Sequence, residues 1–588
     1  MKGLMMDKRW LTTVGCALLM LLTACGKESE PTSTTAMSHT NEAADLTFIC
    51  NVSPNTLDPQ KMSWLHDIRI ANALYEPLMR YQLPEVKLQG GVATRWEISA
   101  DQKTYTFHLR PQATWSNGDP VTANDFVYAW RRAILPDFTA DYVQLFFCIE
   151  GAEEFFQWRQ NQLANYKPGS SAEIAWGTAR ERFTKTVGIN APDAHTLVIQ
   201  LTRPTPYFLE LCAFATFMPN HVASLDKATT FNTDTGMLQI PAGFWSNPEK
   251  LITNGPYKLT AHRFKQDLLL TQNPNWWNKA SMLNTSIRMK IIENPQASML
   301  AYENGDANWV PEVPSASSFA ADLVATGRKD VHTTPWAGTY FYSFNCLPKL
   351  ADGSPNPLAD PRVRKALAMC IDRKTIVSKI TRMNQPIAKT FIPPNKIPGY
   401  LPPEAEGAEF DPEAARVLLK EAGYSDPSTL RGLSILMNTD GAHEIVAQAI
   451  SSMWKKHLGI NVPLESMEVR SFRERLKKQH YTIARASWIA DYRDPTTFLD
   501  KYHSEGGNND AKWSNKQYDT LLAKASHETD IYQRMQLLRQ AETLMMIEQP
   551  IAPIFHYVTL DVFDPAKVKN LHPNAWNFYR LELIEVVK

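Results

Sequence analysis

An excess of one charge is the first feature that this sequence lacks. Its 61 lysines and arginines balance 61 aspartates and glutamates, so the formal net charge at neutral pH is zero. Nucleic acids and other polyanions are usually bound by a surplus of basic residues on one surface. The charge balance therefore argues against such a partner, and we expect no nucleic-acid ligand.

Catalytic and metal-binding patterns are missing as well. The chain contains no GxSxG and no HExxH sequence, the patterns that place a nucleophile or zinc ligands for hydrolysis. Its seven cysteines include no CxxC pair, and no histidines stand at metal-ligand spacing. We therefore predict no enzyme, no metal and no cofactor. If the chain is exported, one or two disulfides are possible, and the sequence does not assign their pairing.

Long hydrophobic runs are confined to the N-terminus. Three basic residues precede an apolar stretch over residues 14–22, which is too short for a typical membrane span. The stretch ends in LTAC at residues 22–25, which resembles a bacterial lipobox and implies cleavage after residue 24 and a lipid on Cys25. An ordinary secretory signal with a coincidental cysteine is the alternative. Residues 25–44 are polar, and we predict a flexible tether there.

The remaining chain is too long for one ordinary domain and suggests roughly three. A helix is predicted over residues 68–78 and a two-faced strand over residues 104–109. Thr122 is expected to cap a further helix, with Asp125 at the capping-box position. Because strand and helix patterns mix along the whole chain, we predict an α/β or mixed α+β fold.

One stretch concentrates charged and aromatic side chains. Residues 485–498 read RASWIADYRDPTTF and follow a β-type segment at residues 481–484. A strand would turn four of these side chains to one face, namely Arg485, Ser487, Ile489 and Asp491. A cation and an anion would then lie about 20 Å apart at its two ends. The simpler interpretation is a buried strand with solvated ends. The sequence Asp494-Pro495 predicts that the strand ends there, and Thr496 or Thr497 is expected to cap a following helix.

This stretch resembles the segment in which periplasmic oligopeptide-binding proteins hold the α-ammonium group of a peptide. Those proteins are the solute receptors of ATP-driven peptide importers. Further segments resemble the same family and together span nearly all of the chain after the signal segment. They are the LDP turn and YEPL sequence within residues 57–78, residues 91–132, NGPYKL at 254–259, NPNWWN at 273–278 and the aromatic strand 339–345.

The resemblance implies a two-lobed periplasmic-binding-protein fold of the Venus-flytrap kind, type II or cluster C, with an extra domain. Domain I, the first lobe, would comprise residues 45–80, 200–338 and 557–588. Domain II, the extra domain, would comprise residues 81–199, with an insertion near residues 152–185. Domain III, the second lobe, would comprise residues 339–556.

The resemblance also implies the roles of individual residues. Asp491 would bind the α-ammonium group, while Arg485 and, in some cases, His443 would bind the carboxylate of a short ligand. The backbone near Ser487 and Ile489 would pair with an extended peptide. Aromatic side chains that would face the ligand are Trp488, Tyr142, Phe341 and Tyr557. For Tyr142 and His443, an ordinary core or surface position is the alternative.

The sequence departs from the family at several of its ligand positions. The family's cysteine pair near this site falls on Gly338 and Ile489. An acidic position is Ser343, a tryptophan that lines one side pocket is Val469, and an arginine that contacts the ligand is Leu476. These changes leave the side-chain preference and the ligand length open.

The expected function is capture of oligopeptides in an interdomain cleft and delivery to the permease subunits of an ABC importer. The receptor would be a monomer in the periplasm or at the cell surface, anchored to a bacterial membrane through Cys25. The main alternative is the same scaffold with another solute: a murein peptide, a nickel complex or haem. An exported hydrolase is a weaker alternative, because the catalytic patterns are missing.

Overall fold

The structure is a computed structural model that describes residues 44–241, 243–313, 318–404, 409–439 and 442–587. The predicted signal segment, Cys25 and nearly all of the predicted tether lie outside the described residues. The described part of the chain is a mixture of helices and strands, so the predicted mixed α/β class is confirmed. None of the described helices is both long and apolar enough to cross a membrane.

Twenty strands are formed by the described residues. They are β1 (Leu46–Cys50), β2 (Met79–Gln82), β3 (Lys87–Gly90), β4 (Ala93–Ile98), β5 (Thr104–Leu109), β6 (Ile189–Asp193), β7 (Thr196–Gln200), β8 (Thr230–Phe231), β9 (Leu238–Gln239), β10 (Tyr257–Arg263), β11 (Asp267–Gln272), β12 (Ser286–Ile291), β13 (Trp309–Val310), β14 (Val331–Phe344), β15 (Ile435–Asn438), β16 (Leu464–Met467), β17 (Ile483–Ile489), β18 (Ile551–Phe563), β19 (Val568–Lys569) and β20 (Glu585–Val586).

Sixteen α-helical segments accompany these strands in the described part of the chain. They are α1 (Leu65–Leu74), α2 (Ala123–Ile134), α3 (Ala152–Ala164), α4 (Ala172–Thr186), α5 (Phe208–Leu211), α6 (Val222–Ala228), α7 (Pro295–Glu303), α8 (Ser318–Ala325), α9 (Pro361–Met369), α10 (Arg373–Thr375), α11 (Pro412–Glu421), α12 (His443–Leu458), α13 (Val469–Lys477), α14 (Thr496–Leu499), α15 (Lys516–His527) and α16 (Ile531–Glu548).

A ten-stranded mixed sheet runs through the molecule in the order β10-β11-β12-β1-β13-β18-β14-β17-β15-β16. Its two longest strands, β14 with 14 residues and β18 with 13, pair antiparallel in the middle. The end of β18 pairs with β13, while the last half of β14 pairs with β17. The β14–β18 register is interrupted between Pro335 and Thr339. These two strands therefore join the two halves of the sheet.

Two separate clusters of apolar side chains involve the two halves of this sheet, and the larger cluster extends to β5 and α2. The larger cluster includes Phe48, Phe107 and Trp130, and a second cluster includes Trp454 and Ile483. All five side chains are 0% exposed. Burial of apolar area on this scale is the main driving force for folding. The domain boundaries expected from the sequence stay a prediction.

A second, four-stranded sheet has the order β4-β5-β7-β6 and is antiparallel throughout. Side chains alternate along β5, and Tyr105, Phe107 and Leu109 form its buried face. The predicted strand over residues 104–109 is thus confirmed. The predicted cap of α2 is confirmed too, because the Thr122 amide donates to Asp125 Oδ2 at 2.7 Å.

Helix α1 differs from the sequence prediction in its bounds, and the described cysteines form no disulfide. The helix expected over residues 68–78 covers Leu65–Leu74, because Tyr75 is extended and the Glu76 amide donates to Asn254 Oδ1 at 3.0 Å. Residues 152–185, which the sequence predicted to be mostly helical, form α3 and α4. Their interpretation as an insertion stays a prediction. All five cysteines among the described residues are free, so the disulfides left open by the sequence are not formed among them.

Candidate ligand site

The stretch singled out by the sequence begins as a strand and ends as a loop. β17 pairs with β14, with Gly338 opposite Ile489, and it stops at Ile489. The prediction that Asp491 continues the same strand face was wrong. Its backbone amide donates to Thr497 Oγ1 at 3.0 Å and not to a neighbouring strand. The loop therefore directs Asp491 independently of the strand.

Part of β17 has an unpaired backbone edge. On the side away from β14, β15 pairs with β17 only at Ile483 and Ala484. From Arg485 to Ile489, no described strand pairs with that edge. Unpaired strand edges present amides and carbonyls to which an extended chain can bind. The edge that runs past Ser487 towards Asp491 is thus available to a ligand backbone.

A buried ion pair fixes the loop that follows Asp491. Arg534 of α16 donates to Asp494 through two hydrogen bonds of 2.6 and 2.9 Å, and the two side chains are 1% and 5% exposed. Asp494 Oδ1 also accepts from the Thr496 amide at 3.0 Å and from the Thr496 hydroxyl at 2.7 Å. Both threonines lie inside α14, whose N-cap position is Pro495, so the prediction that Thr496 or Thr497 caps this helix was wrong. The Asp494 side chain binds the first amide of the helix instead.

The Asp491 carboxylate receives a hydrogen bond from a distant segment. The Tyr142 hydroxyl donates to Asp491 Oδ1 at 2.8 Å. The Tyr142 ring is held edge-on by Phe214, with 5.0 Å between the ring centroids. Burial raises the pKa of Asp491 to about 6, against the opposing effect of the Tyr142 hydrogen bond. Within the described residues no basic side chain pairs with Asp491, so a cation would complete its environment.

Asp491 lines a cavity of about 790 Å³. Five of the nine residues predicted to bind the ligand line this cavity: Tyr142, Ser487, Trp488, Ile489 and Asp491. Its volume lies within the range of about 300–1,000 Å³ that is usual for small-ligand sites. The Trp488 indole is fixed from two sides, because it donates to the Thr497 carbonyl at 2.5 Å and lies 4.9 Å from the Lys501 ammonium.

Three other predicted residues form a separate cluster around Tyr340. Arg485 Nη2 donates to the Tyr557 hydroxyl at 3.4 Å, and its guanidinium lies 5.3 Å from the Tyr340 ring centre. Tyr340 contacts His443 Nδ1 at 3.3 Å through its hydroxyl. Burial and the nearby Arg485 lower the pKa of His443 to about 3, so this imidazole is neutral at pH 7. Arg485 Nε is buried and has no hydrogen-bond partner among the described residues.

Phe341 lies apart from both groups. Its side chain is 0% exposed, and its ring packs edge-on against Phe391 with 5.3 Å between centroids. The expectation that Phe341 faces the ligand was wrong. Neighbouring side chains alternate along β14, so Tyr340 points to the Arg485 cluster while Phe341 enters the opposite core.

The sequence did not single out several further residues that shape the site. Tyr492, which follows Asp491, stacks on Tyr207 with 4.5 Å between ring centroids and an angle of 14°. Arg493 donates to the Val86 carbonyl. Tyr207, Tyr492 and two neighbouring charged residues, Asp500 and Lys501, line the cavity. The fold brings these side chains to the cavity, and no local sequence pattern indicates them.

The sequence pattern that defines bacterial extracellular solute-binding proteins, family 5 Middle, matches residues 87–510. The chain belongs to this family. It is 32% identical over 567 residues to the oligopeptide-binding protein OppA of Bacillus subtilis, which covers 95% of this chain and 96% of that protein. It is 31% identical over 566 residues to the periplasmic murein peptide-binding protein MppA of Escherichia coli, with 95% of each chain covered.

Solved structures of family 5 proteins share this fold. The murein tripeptide binding protein MppA of Escherichia coli superimposes with a TM-score of 0.74 at 29% identity, over 93% of this chain and 99% of that chain. OppA of Haemophilus influenzae in complex with RPPGFSPFR superimposes with a TM-score of 0.71 at 30% identity, over 93% of this chain and 100% of that chain. The two-lobed binding-protein fold expected from the sequence is therefore confirmed.

The Asp494–Arg534 pair allows a test of how the loop is held. Arg534→Leu leaves Asp494 buried without its cation, and we expect the free energy of unfolding to fall by about 3–5 kcal/mol. Chemical denaturation measures this change. Arg539→Leu on the same helix is the matched control, since its guanidinium makes no ion pair among the described residues. Equal stability losses for both variants would show that the pair does not stabilise the loop.

Proposed function

We propose that this protein captures oligopeptides outside the cytoplasm and delivers them to the permease subunits of an ABC importer. The observation that carries the proposal is Asp491, an enclosed carboxylate whose described partner is the neutral Tyr142 hydroxyl. A peptide α-ammonium group supplies the missing cation. It also supplies three donors, enough to bond Asp491 and Tyr142 together.

The unpaired edge of β17 supports an extended ligand. A peptide anchored at Asp491 would run along the edge from Ile489 towards Arg485 and pair through its main chain. Main-chain pairing accepts any sequence. The Arg485 guanidinium would bind the ligand carboxylate, and the neutral His443 would act only as a hydrogen-bonding neighbour of Tyr340.

A murein peptide is the second candidate, because the chain is 31% identical over nearly its whole length to a protein named as a murein peptide-binding protein. A thermal-shift panel of tri- to pentapeptides, N-acetylated peptides, murein tripeptide, nickel and haem separates these ligands. We expect free peptides to raise the melting temperature most, and to be recovered intact after hours with the protein. Cleaved peptide would favour the hydrolase alternative.

Asp491→Ala tests the central contact. Removal of one partner of a buried charge pair costs roughly 3–5 kcal/mol, which is on the order of a hundredfold or more in affinity at ~1.4 kcal/mol per decade. We expect this loss for free tri- and tetrapeptides in calorimetric titrations. N-acetylated peptides lack the cation and should bind the wild type weakly and depend less on Asp491.

The four affinities of this experiment form a cycle that isolates the Asp491–ammonium interaction. Asp141→Ala is the matched control, since Asp141 is an exposed carboxylate on the same cavity and accepts from the Ser63 hydroxyl at 2.6 Å. Equal losses for free and acetylated peptides on Asp491→Ala would contradict the assignment of Asp491.

The pKa of Asp491 gives a pH dependence with a defined sign. Its value of about 6 in the free protein means that the carboxyl group is protonated below pH 6 and cannot pair with ammonium there. We expect tri-alanine affinity to fall by up to tenfold per pH unit below pH 6. It should fall again above about pH 8, where the peptide amine loses its proton. In Asp491→Asn the loss of affinity below pH 6 should disappear. If this loss persists in the variant, a group other than Asp491 causes it.

We also propose that the receptor is anchored through a lipid on Cys25, which lies outside the described residues. Support comes from the short apolar run that ends in LTAC and from the polar segment that follows it. The intact mass of detergent-extracted protein should correspond to a chain that begins with a diacylated Cys25. Cys25→Ser should be released without lipid. Wild-type protein recovered unlipidated with a different N-terminus would disprove the anchor.

A further inference from the structure

Asp500 is a further carboxylate on the ligand cavity, which Asp141, Glu153 and Asp491 also line. Asp500 begins the short 3-10 turn Asp500–Tyr502 after α14, and it lines the same cavity of about 790 Å³ as Asp491. Its side chain is exposed, whereas Leu499, Lys501 and Tyr502 beside it are buried. The turn therefore directs one charged side chain into the cavity and the residues around it into the core.

The folded chain leaves the charge of Asp500 without a direct partner. Among the residues that the structure describes, no basic side chain forms an ion pair with it. Arg534 is engaged by Asp494, and the nearby His503 lies 3.9 Å from Asp519. Because its side chain is exposed to solvent, the carboxyl group is ionised at neutral pH. Asp500 is thus an available anion.

Three basic side chains line the cavity, namely Arg203, Arg473 and Lys501, and they differ in their availability. The Lys501 ammonium is already bound, since it donates to the Asn508 carbonyl at 2.6 Å and to Asp510 Oδ2 at 3.2 Å. Arg203 is exposed and makes no ion pair with Asp500. Lys501 therefore does not compete with a ligand cation for Asp500, whereas Arg203 and Arg473 remain as basic side chains on the cavity wall.

Two stacked aromatic rings line the same cavity as Asp500. Tyr492 and Tyr207 stack on each other, and both line the cavity. Burial and the charge of Asp500 both raise the pKa of Tyr207, which places the carboxylate within electrostatic range of this stack. An anion beside aromatic faces suits a long aliphatic chain that ends in a cation, because the methylenes pack on the rings.

We propose that Asp500, Tyr207 and Tyr492 form a side pocket that binds a lysine or arginine side chain near the amino end of the peptide. The inference rests on the proposed peptide-binding function and adds a side-chain preference to it. Main-chain pairing along β17 cannot discriminate between peptide sequences. The Asp500 pocket would supply that discrimination, since a charge-assisted hydrogen bond is lost when the cation is replaced.

The test compares lysine with norleucine, which has the same methylene chain and no charge. Tripeptides carrying either residue at position one or two, with alanine elsewhere, are titrated into wild type and Asp500→Asn. We expect the wild type to prefer lysine by about tenfold or more at one of these positions. Asp500→Asn should reduce the lysine-to-norleucine ratio to near one.

Two controls make the outcome unambiguous. Asp141→Asn removes another carboxylate from the same cavity and should keep the lysine-to-norleucine ratio; an equal loss of the ratio would overturn the specific role of Asp500. Tri-alanine separates this inference from the proposed function. Wild type that binds tri-alanine without any lysine preference would refute the pocket alone, whereas wild type that binds no peptide would refute the proposed function.

Discussion

The ligand site depends on the cost of enclosing the Asp491 carboxylate without a cation. A charge removed from water needs a partner, and the described chain supplies only the Tyr142 hydroxyl. The pKa of Asp491 is raised because its carboxylate is buried without a cationic partner among the described residues. Because Tyr142 and Asp491 come from segments far apart in the sequence, a ligand cation at Asp491 would contact both segments at once.

The surrounding structure keeps this unfavourable carboxylate in place. The loop cannot relax by moving Asp491 to solvent, because Asp494 is tied to Arg534 and Tyr492 is stacked on Tyr207. Two strands, β14 and β18, join the halves of the large sheet and provide the rigid frame behind β17. A binding site that must retain an uncompensated charge needs such a support, since stability elsewhere offsets the local cost.

Local patterns predicted those features that local interactions determine. The Thr122–Asp125 cap and the alternating β5 were predictable because their contacts lie within a few residues. The family resemblance placed a cysteine pair on Gly338 and Ile489, and the register sets these two residues directly opposite each other. The end of β17 was not predictable, because it depends on the Thr497 hydroxyl, and the burial of Phe341 depends on Phe391 from another segment. Asp500 was missed since a single acidic residue after a helix carries no sequence signal.

Asp491 and Asp500, two of the carboxylates that line the cavity, suggest a division of roles within one site. The unpaired edge of β17 and Asp491 would recognise what all peptides share, a backbone and an amino terminus. A side chain is recognised only by groups that differ in charge or shape, and Asp500 beside the Tyr207–Tyr492 stack is such a group. The contacts to the peptide backbone and amino terminus lie on the sheet and the Asp491 loop, whereas the contact to a side chain lies on the separate turn after α14. Substitutions in this turn could therefore change the side-chain preference while the backbone contacts are kept. The departures from the family at Val469 and Leu476 fit this division, because they change side-chain positions and leave Asp491 in place.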